Sequence, residues 1–237
     1  MSAATFELRY ADLLERRFYF LMMILIALVV VCGFGRSVDA GLIHPAFVVP
    51  PILYIHTALY VSWMIFLLVQ TGLVQTGRVK LHRLLGMSSL GVGVLMPIVG
   101  VLVALKLAHI KALLGNVVPI HLLLTPLTDM LYFSVFFALG VGFRRKPEFH
   151  RRLMLLATIV LTDAAFSRWP HFIVPNGWYY GGLDALILLC IARDFAVQQR
   201  IHMVYLAALP TLLAGQALTL LASRTEWWFA LASKLVA

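Results

Sequence analysis

The sequence predicts an all-α, polytopic membrane protein with seven transmembrane helices. Three observations carry that prediction. The chain of 237 residues is 62% hydrophobic, with a mean hydropathy of +0.95 and only 12% charged residues; a soluble domain carries about twice that charge. Apolar runs recur along the whole chain, and each is long enough to cross about 30 Å of hydrocarbon. Basic residues gather in the short loops between those runs, where they set orientation. The formal charge of +9 is therefore a signature of topology and not of a nucleic-acid partner. The expected environment is a lipid bilayer.

The first span covers residues 17–36 as an anchor helix. The "SVDAG" that follows it mimics a signal-peptide cleavage site, but the apolar run is too long for that reading. Spans at 50–75, 82–107, 118–143 and 149–173 form a core over 50–175. Two further spans, 178–195 and 202–222, complete a single membrane domain over 1–237. An interfacial tail, 225–237, ends the chain, and its Trp227 and Trp228 suit a membrane interface. Cys32 and Cys190 both lie inside apolar runs, which argues against a disulfide framework or a zinc–cysteine site.

Orientation follows from the basic residues. Arg9, Arg16 and Arg17, then Arg78, Lys80 and Arg83, then the five between Arg144 and Arg152, then Arg193 and Arg200 make up thirteen of the nineteen. With seven spans all four groups fall on one side, the cytoplasmic one. The N-terminus is expected inside.

"KLHRLLG" at 80–86 and "EFHRRLM" at 148–154 look like copies of one unit. His56 precedes His82 by 26 residues and His121 precedes His150 by 29. Spans two–three and four–five thus read as a tandem hairpin repeat. From His56 to the cytoplasmic end of its span is roughly 28 Å of helix. The four histidines therefore divide into an outer pair, His56 and His121, and an inner pair, His82 and His150.

Ionisable groups within a bilayer are functional candidates by default. Gly86, Gly93 and Gly100 lie on the face of His82, and Ala157, Ala164 and Arg168 on that of His150. Such smooth faces pack against another helix or against a flat macrocycle held by two histidines. The outer half adds Thr125, Thr128, Asp129 and Tyr132 on span four. Tyr60, Trp63 and Gln70 share the face of His56. Asp163, Ser167, Arg168 and His171 belong to span five, and Asp184 to span six. His56, His121, Asp129, Asp163, His171 and Asp184 offer imidazole and carboxylate ligands for zinc or iron. Arg168 paired with Asp163 or Asp184 is the structural alternative. His82 and His150, each beside arginine, are either ligands or anchors at the headgroups. His44, His109 and His202 read as surface residues, and Met87, Met96 and Met154 as packing. No phosphate loop, no nucleophile elbow, no zinc-protease motif and no covalent haem motif occurs, so any haem is of b type.

"HTALYVSWMIFLLVQTGLVQTGRVKLHRLLG" resembles a group of bacterial inner-membrane proteins with His-Arg-x-Leu-Gly helical hairpins. "EFHRRLMLLATIVLTDAAFSRWP" has the same character, and the likeness covers roughly 50–175. It speaks to fold more than to activity. The order of histidines is also similar to that of two-haem, ascorbate-reducible transmembrane cytochromes b. That resemblance implies haem b between His56 and His121 and between His82 and His150. This chain departs from the pattern in putting His82 and His150 at the membrane boundary, beside arginines suited to haem propionates. Arg168, on the face of His150, is a further candidate for cofactor contact.

Three functions follow. The first is a haem b or metal-binding oxidoreductase or electron-transfer protein serving a quinone or a small reductant. The second is a non-haem zinc or iron enzyme with an outward-facing site. The third is a transporter or respiratory-complex assembly factor without catalysis. Gly93 and Gly100 can pack within the chain or in a homo-oligomer.

Overall fold

A computed structural model gives the fold. It describes residues 3–45 and 48–237, with side chains from residue 17 onward, residue 40 apart. The side chains of Arg9 and Arg16, counted above for orientation, lie outside the described residues. The chain is 81% helical with no strand among the described residues.

Among the described residues, five segments are long and apolar enough to cross a membrane. They are Arg17–Phe34 within α1 (Ala3–Phe34), α2 (Pro51–Gln75), α3 (Val79–Leu113), Val118–Gly142, and Met203–Ala222. Their outward faces are apolar: Leu21, Leu28 and Val31 on α1, Val61 and Ile65 on α2, and Leu95 and Ile98 on α3 are all exposed. Apolar surface of that extent needs a lipid or protein cover.

Val118–Gly142 is not one continuous helix. α4 (Val118–His121) ends before a turn, and α5 (Leu124–Gly142) follows. Pro126 has no N–H to give the Leu122 carbonyl, which accepts from Thr125 N instead (3.1 Å). The expected span 149–173 is likewise not one continuous helix. α6 (Pro147–Ile159) tightens into a 3-10 turn at Val160–Thr162, and α7 (Asp163–Phe166) ends seven residues early. The Thr162 hydroxyl donates to Ile159 O (2.6 Å) and the Ser167 hydroxyl to Ala164 O (3.0 Å). Such side-chain bonds compete with the helical ladder, and Pro170 prevents its continuation. α8 (Tyr179–Gln198) matches the sixth expected span in position, but Asp184, Arg193 and Asp194 interrupt its apolar character. α9 (Met203–Ala222) starts at an N-cap in which His202 Nδ1 accepts from Val204 N (3.2 Å).

The hairpins α2–α3 and α5–α6 meet through α3 and α5, and α1 closes against α2 and α7. Trp63, 1% exposed, packs edge-on against Phe133 and Phe137 at 5.3 and 5.7 Å. The glycine stripe of α3 is filled by side chains. Phe137 occupies the space a Cβ would need at Gly93, and Met130 and Tyr60 do so at Gly100. Small residues thus serve close helix packing over most of the stripe.

A tighter approach joins α1 to α7. A Cβ on Gly33 would overlap the Ala165 carbonyl oxygen, which is backbone and cannot rotate away. Gly33→Ala is expected to cost about 1–3 kcal/mol, the usual range for overpacking. Thermal unfolding in detergent measures it, and an unchanged midpoint would refute the tight contact.

The tail forms α10 (Glu226–Val236), which docks on α3 and α4 in a second apolar cluster with Ala108, Ile120 and Leu123. Trp228 is buried there and donates to His121 O (3.0 Å), while Trp227 stays exposed. His109, expected at the surface, bonds through Nδ1 to Val236 O (2.6 Å).

Candidate functional site

His82 and His150 are each the fourth residue of their helix. In both, the backbone N–H bonds to the carbonyl four residues back, of Arg78 and of Lys146, at 3.0 Å. The two imidazoles are neighbours in an edge-type arrangement, with ring centres 6.2 Å apart and planes at 73°. Each ring is half-buried and held by the helix before its own. His150 Nδ1 bonds to Gly140 O of α5 (2.8 Å). Only a protonated nitrogen can donate to that carbonyl, so Nε2 of neutral His150 carries a lone pair.

Gln70 of α2 holds His82. With its amide nitrogen facing His82, it donates to His82 O (3.0 Å) and lies 2.5 Å from Nδ1; its oxygen accepts from Gly86 N (3.0 Å). The amide thereby inserts beside one turn of the α3 ladder. A Cβ at Gly86 would lie 3.9 Å from Gln70 Nε2, an ordinary contact, so the amide does not require glycine there.

The outer histidines do not form a comparable ring pair. His56 stacks on Tyr60 (4.0 Å between centres), and its Nδ1 has no partner. His121 stacks on Phe229 of α10 (4.4 Å). His171 is exposed and lines an open cleft of about 200 Å³ with Ser167, Asn176 and Tyr179. Asp184 accepts from Gln216 Nε2 (3.0 Å). The expected outer set of His56, His121, Asp129, Asp163, His171 and Asp184 is therefore divided. Among the described residues, no three His, Cys, Asp or Glu side chains converge as a metal-holding group.

Asp129 and Asp163 do come together. Both are buried and lie close to each other. Beside Asp129 lies a void of about 10 Å³ lined by Thr128, Tyr180 and Gln216, at the lower limit for one water. Arg168 was expected to pair with Asp163 or Asp184. It instead donates to Ala164 O and covers the Phe34 ring at 4.4 Å.

A third assembly was missed by the sequence reading. Arg152 is fully buried and grips Asp194 with two bonds, Nε to Oδ2 (2.9 Å) and Nη2 to Oδ1 (2.8 Å). Its Nη1 donates to Glu148 Oε2 (2.6 Å), which also accepts from Arg151 Nη2 (2.6 Å). Arg193 Nη1 donates to Asp194 Oδ1 (3.0 Å). Burial works against the charge of Glu148, yet the hydrogen bond from Arg152 and the charges of Arg151 and Arg152 hold its carboxyl below the ordinary range. Arg152 and Arg193 had been read as loop charges. The signal was Asp194, a carboxylate directly beside Arg193 at the end of an apolar run.

No family model, curated protein or solved structure matches the chain.

Proposed function

We propose that the protein is a membrane-embedded redox protein that holds one haem b between His82 and His150. The observation that carries this reading is the 6.2 Å separation of the two ring centres. Metal–imidazole bonds of about 2 Å put the centres of two opposed rings about 6 Å apart. The bond from His150 Nδ1 to Gly140 O supports it further, because it aims the Nε2 lone pair and fixes the tautomer a metal ligand needs. Arg83 follows His82 directly and suits a propionate carboxylate. Haem, when bound, supplies one-electron transfer at a potential set by its two imidazoles and the surrounding dielectric. The filled stripe at Gly93 and Gly100 and the separate surroundings of His56 and His121 favour one haem over two.

Gln70 supports a second reading. An amide that donates to His82 Nδ1 leaves the proton of neutral His82 on Nε2. The pair then offers one donor, His82, and one acceptor, His150, across the same gap. That arrangement suits the hydroxyl of a quinol or a small phenolic reductant, with His150 as the proton acceptor. Haem ligation by His82 needs the Gln70 amide turned, its oxygen toward Nδ1–H.

The absorption spectrum of the purified protein tests the choice. A Soret band that depends on both histidines supports haem. Its absence, together with iron-free elemental analysis, refutes haem and leaves the quinol reading.

The same proposal includes seven spans in a bacterial inner membrane, with the N-terminus cytoplasmic. The distribution of basic residues supports that orientation, and α8 with the broken α6–α7 segment supplies spans six and five. The shared position of His82 and His150 in their helices supports a tandem hairpin repeat.

A further inference from the structure

The bundle end beneath Phe18 and Tyr19 carries polar atoms that the fold does not pair. Among the described residues, Arg151, Arg152 and Arg193 meet only two carboxylates there, Glu148 and Asp194. Among these five side chains one positive charge is left over. Arg193 is 4% exposed, and while its Nη1 donates to Asp194, its Nε and Nη2 are buried without a partner. Arg151 Nε and the hydroxyls of Tyr19 and Tyr205 are buried and unpartnered as well. The rings and guanidinium groups of this cluster lie close together. The Tyr19 ring lies 5.0 Å from the Arg151 guanidinium and 5.7 Å from that of Arg193, and the Tyr205 ring lies 5.9 Å from that of Arg152.

All five unpartnered atoms can donate a hydrogen bond, and three of them belong to cations. Buried donors are satisfied almost without exception in folded proteins. Water can accept from a hydroxyl or an N–H, but it leaves the surplus charge in a poor dielectric. An oxyanion answers both needs.

We propose that this cluster binds a single phosphate-class oxyanion, held by Arg193 and Arg151 and by the hydroxyls of Tyr19 and Tyr205. Entry is from the side of Arg151, whose side chain is 26% exposed. The cluster sits where α6 begins, α8 ends and α9 begins, next to loops carrying Arg144, Arg145, Lys146 and Arg200. Basic segments of this kind attract anionic headgroups. A lipid phosphate and free inorganic phosphate offer the same chemistry. The site is separate from the His82–His150 gap and stands whether or not haem binds there.

The test uses the full-length protein in two settings. In detergent micelles, sodium phosphate is titrated against sodium chloride at matched ionic strength. In nanodiscs, pure phosphatidylcholine is compared with mixtures of increasing phosphatidylglycerol. A saturable rise of about 5 °C in the unfolding midpoint is expected in at least one setting, since a ligand bound only by the folded state stabilises it. A rise with inorganic phosphate assigns the site to a free anion, and a rise with phosphatidylglycerol alone assigns it to a lipid. Arg193→Lys keeps the charge but loses the planar fork and should weaken binding about tenfold. Tyr19→Phe removes one hydroxyl and keeps the packing, so it serves even if the arginine variant folds poorly; about a threefold loss is expected. No saturable rise in either setting, or an undiminished rise in both variants, overturns the proposal.

Discussion

Asp194→Ala is expected to leave little folded protein. Arg152 sits at 0% exposure and gives two of its bonds to that one carboxylate. Removing the carboxylate leaves Arg152 with Glu148 and, among the described residues, leaves Arg193 with no carboxylate. Breaking a buried pair by deleting one partner costs about 3–5 kcal/mol, because an uncompensated charge remains behind. That is a large part of the stability of an ordinary domain. The measurement is the fraction of monodisperse protein recovered from membranes, together with its unfolding midpoint. A control separates charge from packing: Arg152→Met and Arg193→Met with Asp194→Leu removes the buried charges and fills similar volume. It should recover much of the loss, as apolar replacements of buried pairs do. Equal damage in the single and triple variants would refute the electrostatic account.

His150→Ala is expected to abolish the haem spectrum under the proposed function. The alanine removes one of two ligands and also the Nδ1 bond to Gly140 O. Haem retention should fall at least tenfold, or about 1.4 kcal/mol. His82→Ala should act alike. His56→Ala and His121→Ala should leave the Soret band intact, since those rings stack on Tyr60 and Phe229. A band that survives His150→Ala but falls with His56→Ala would move the site to the outer half and refute this assignment. Gln70 gives a finer readout. Gln70→Glu places a carboxylate where it accepts from His82 Nδ1, and a more basic imidazole lowers the midpoint potential.

Much of this architecture is legible in the residues themselves. The long apolar runs fix helix positions to within a few residues for α2, α8 and α9. The matched "HR" units put His82 and His150 on one layer, and in the fold their rings are neighbours. Gln70 shared the face of His56 in the helical pattern, but that pattern carries no information about the helix it touches. Its bond to the backbone at Gly86 needs the angle between α2 and α3. The Arg152–Asp194 pair spans 42 residues, and nothing local joins the two. Charge counting then misleads, because a basic residue near a helix end reads as a loop charge whether it faces headgroups or the bundle. The break at 160–162 was also hidden. Its causes are Thr162, Ser167 and Pro170, none of which disturbs an apolar average.

α3 has 35 residues, about 52 Å of helix, which exceeds the hydrocarbon thickness by roughly 20 Å. Its far end carries Ala108, and α4 and α10 gather round it in their own apolar cluster. The chain thus has a main nucleus and a small outlying one that share a single helix as their axle. The outlying one has few buried side chains, so it opens at a lower free energy than the bundle. In hydrogen-exchange experiments residues 226–236 should behave as a separate foldon, exchanging before any amide in the core of α5 does.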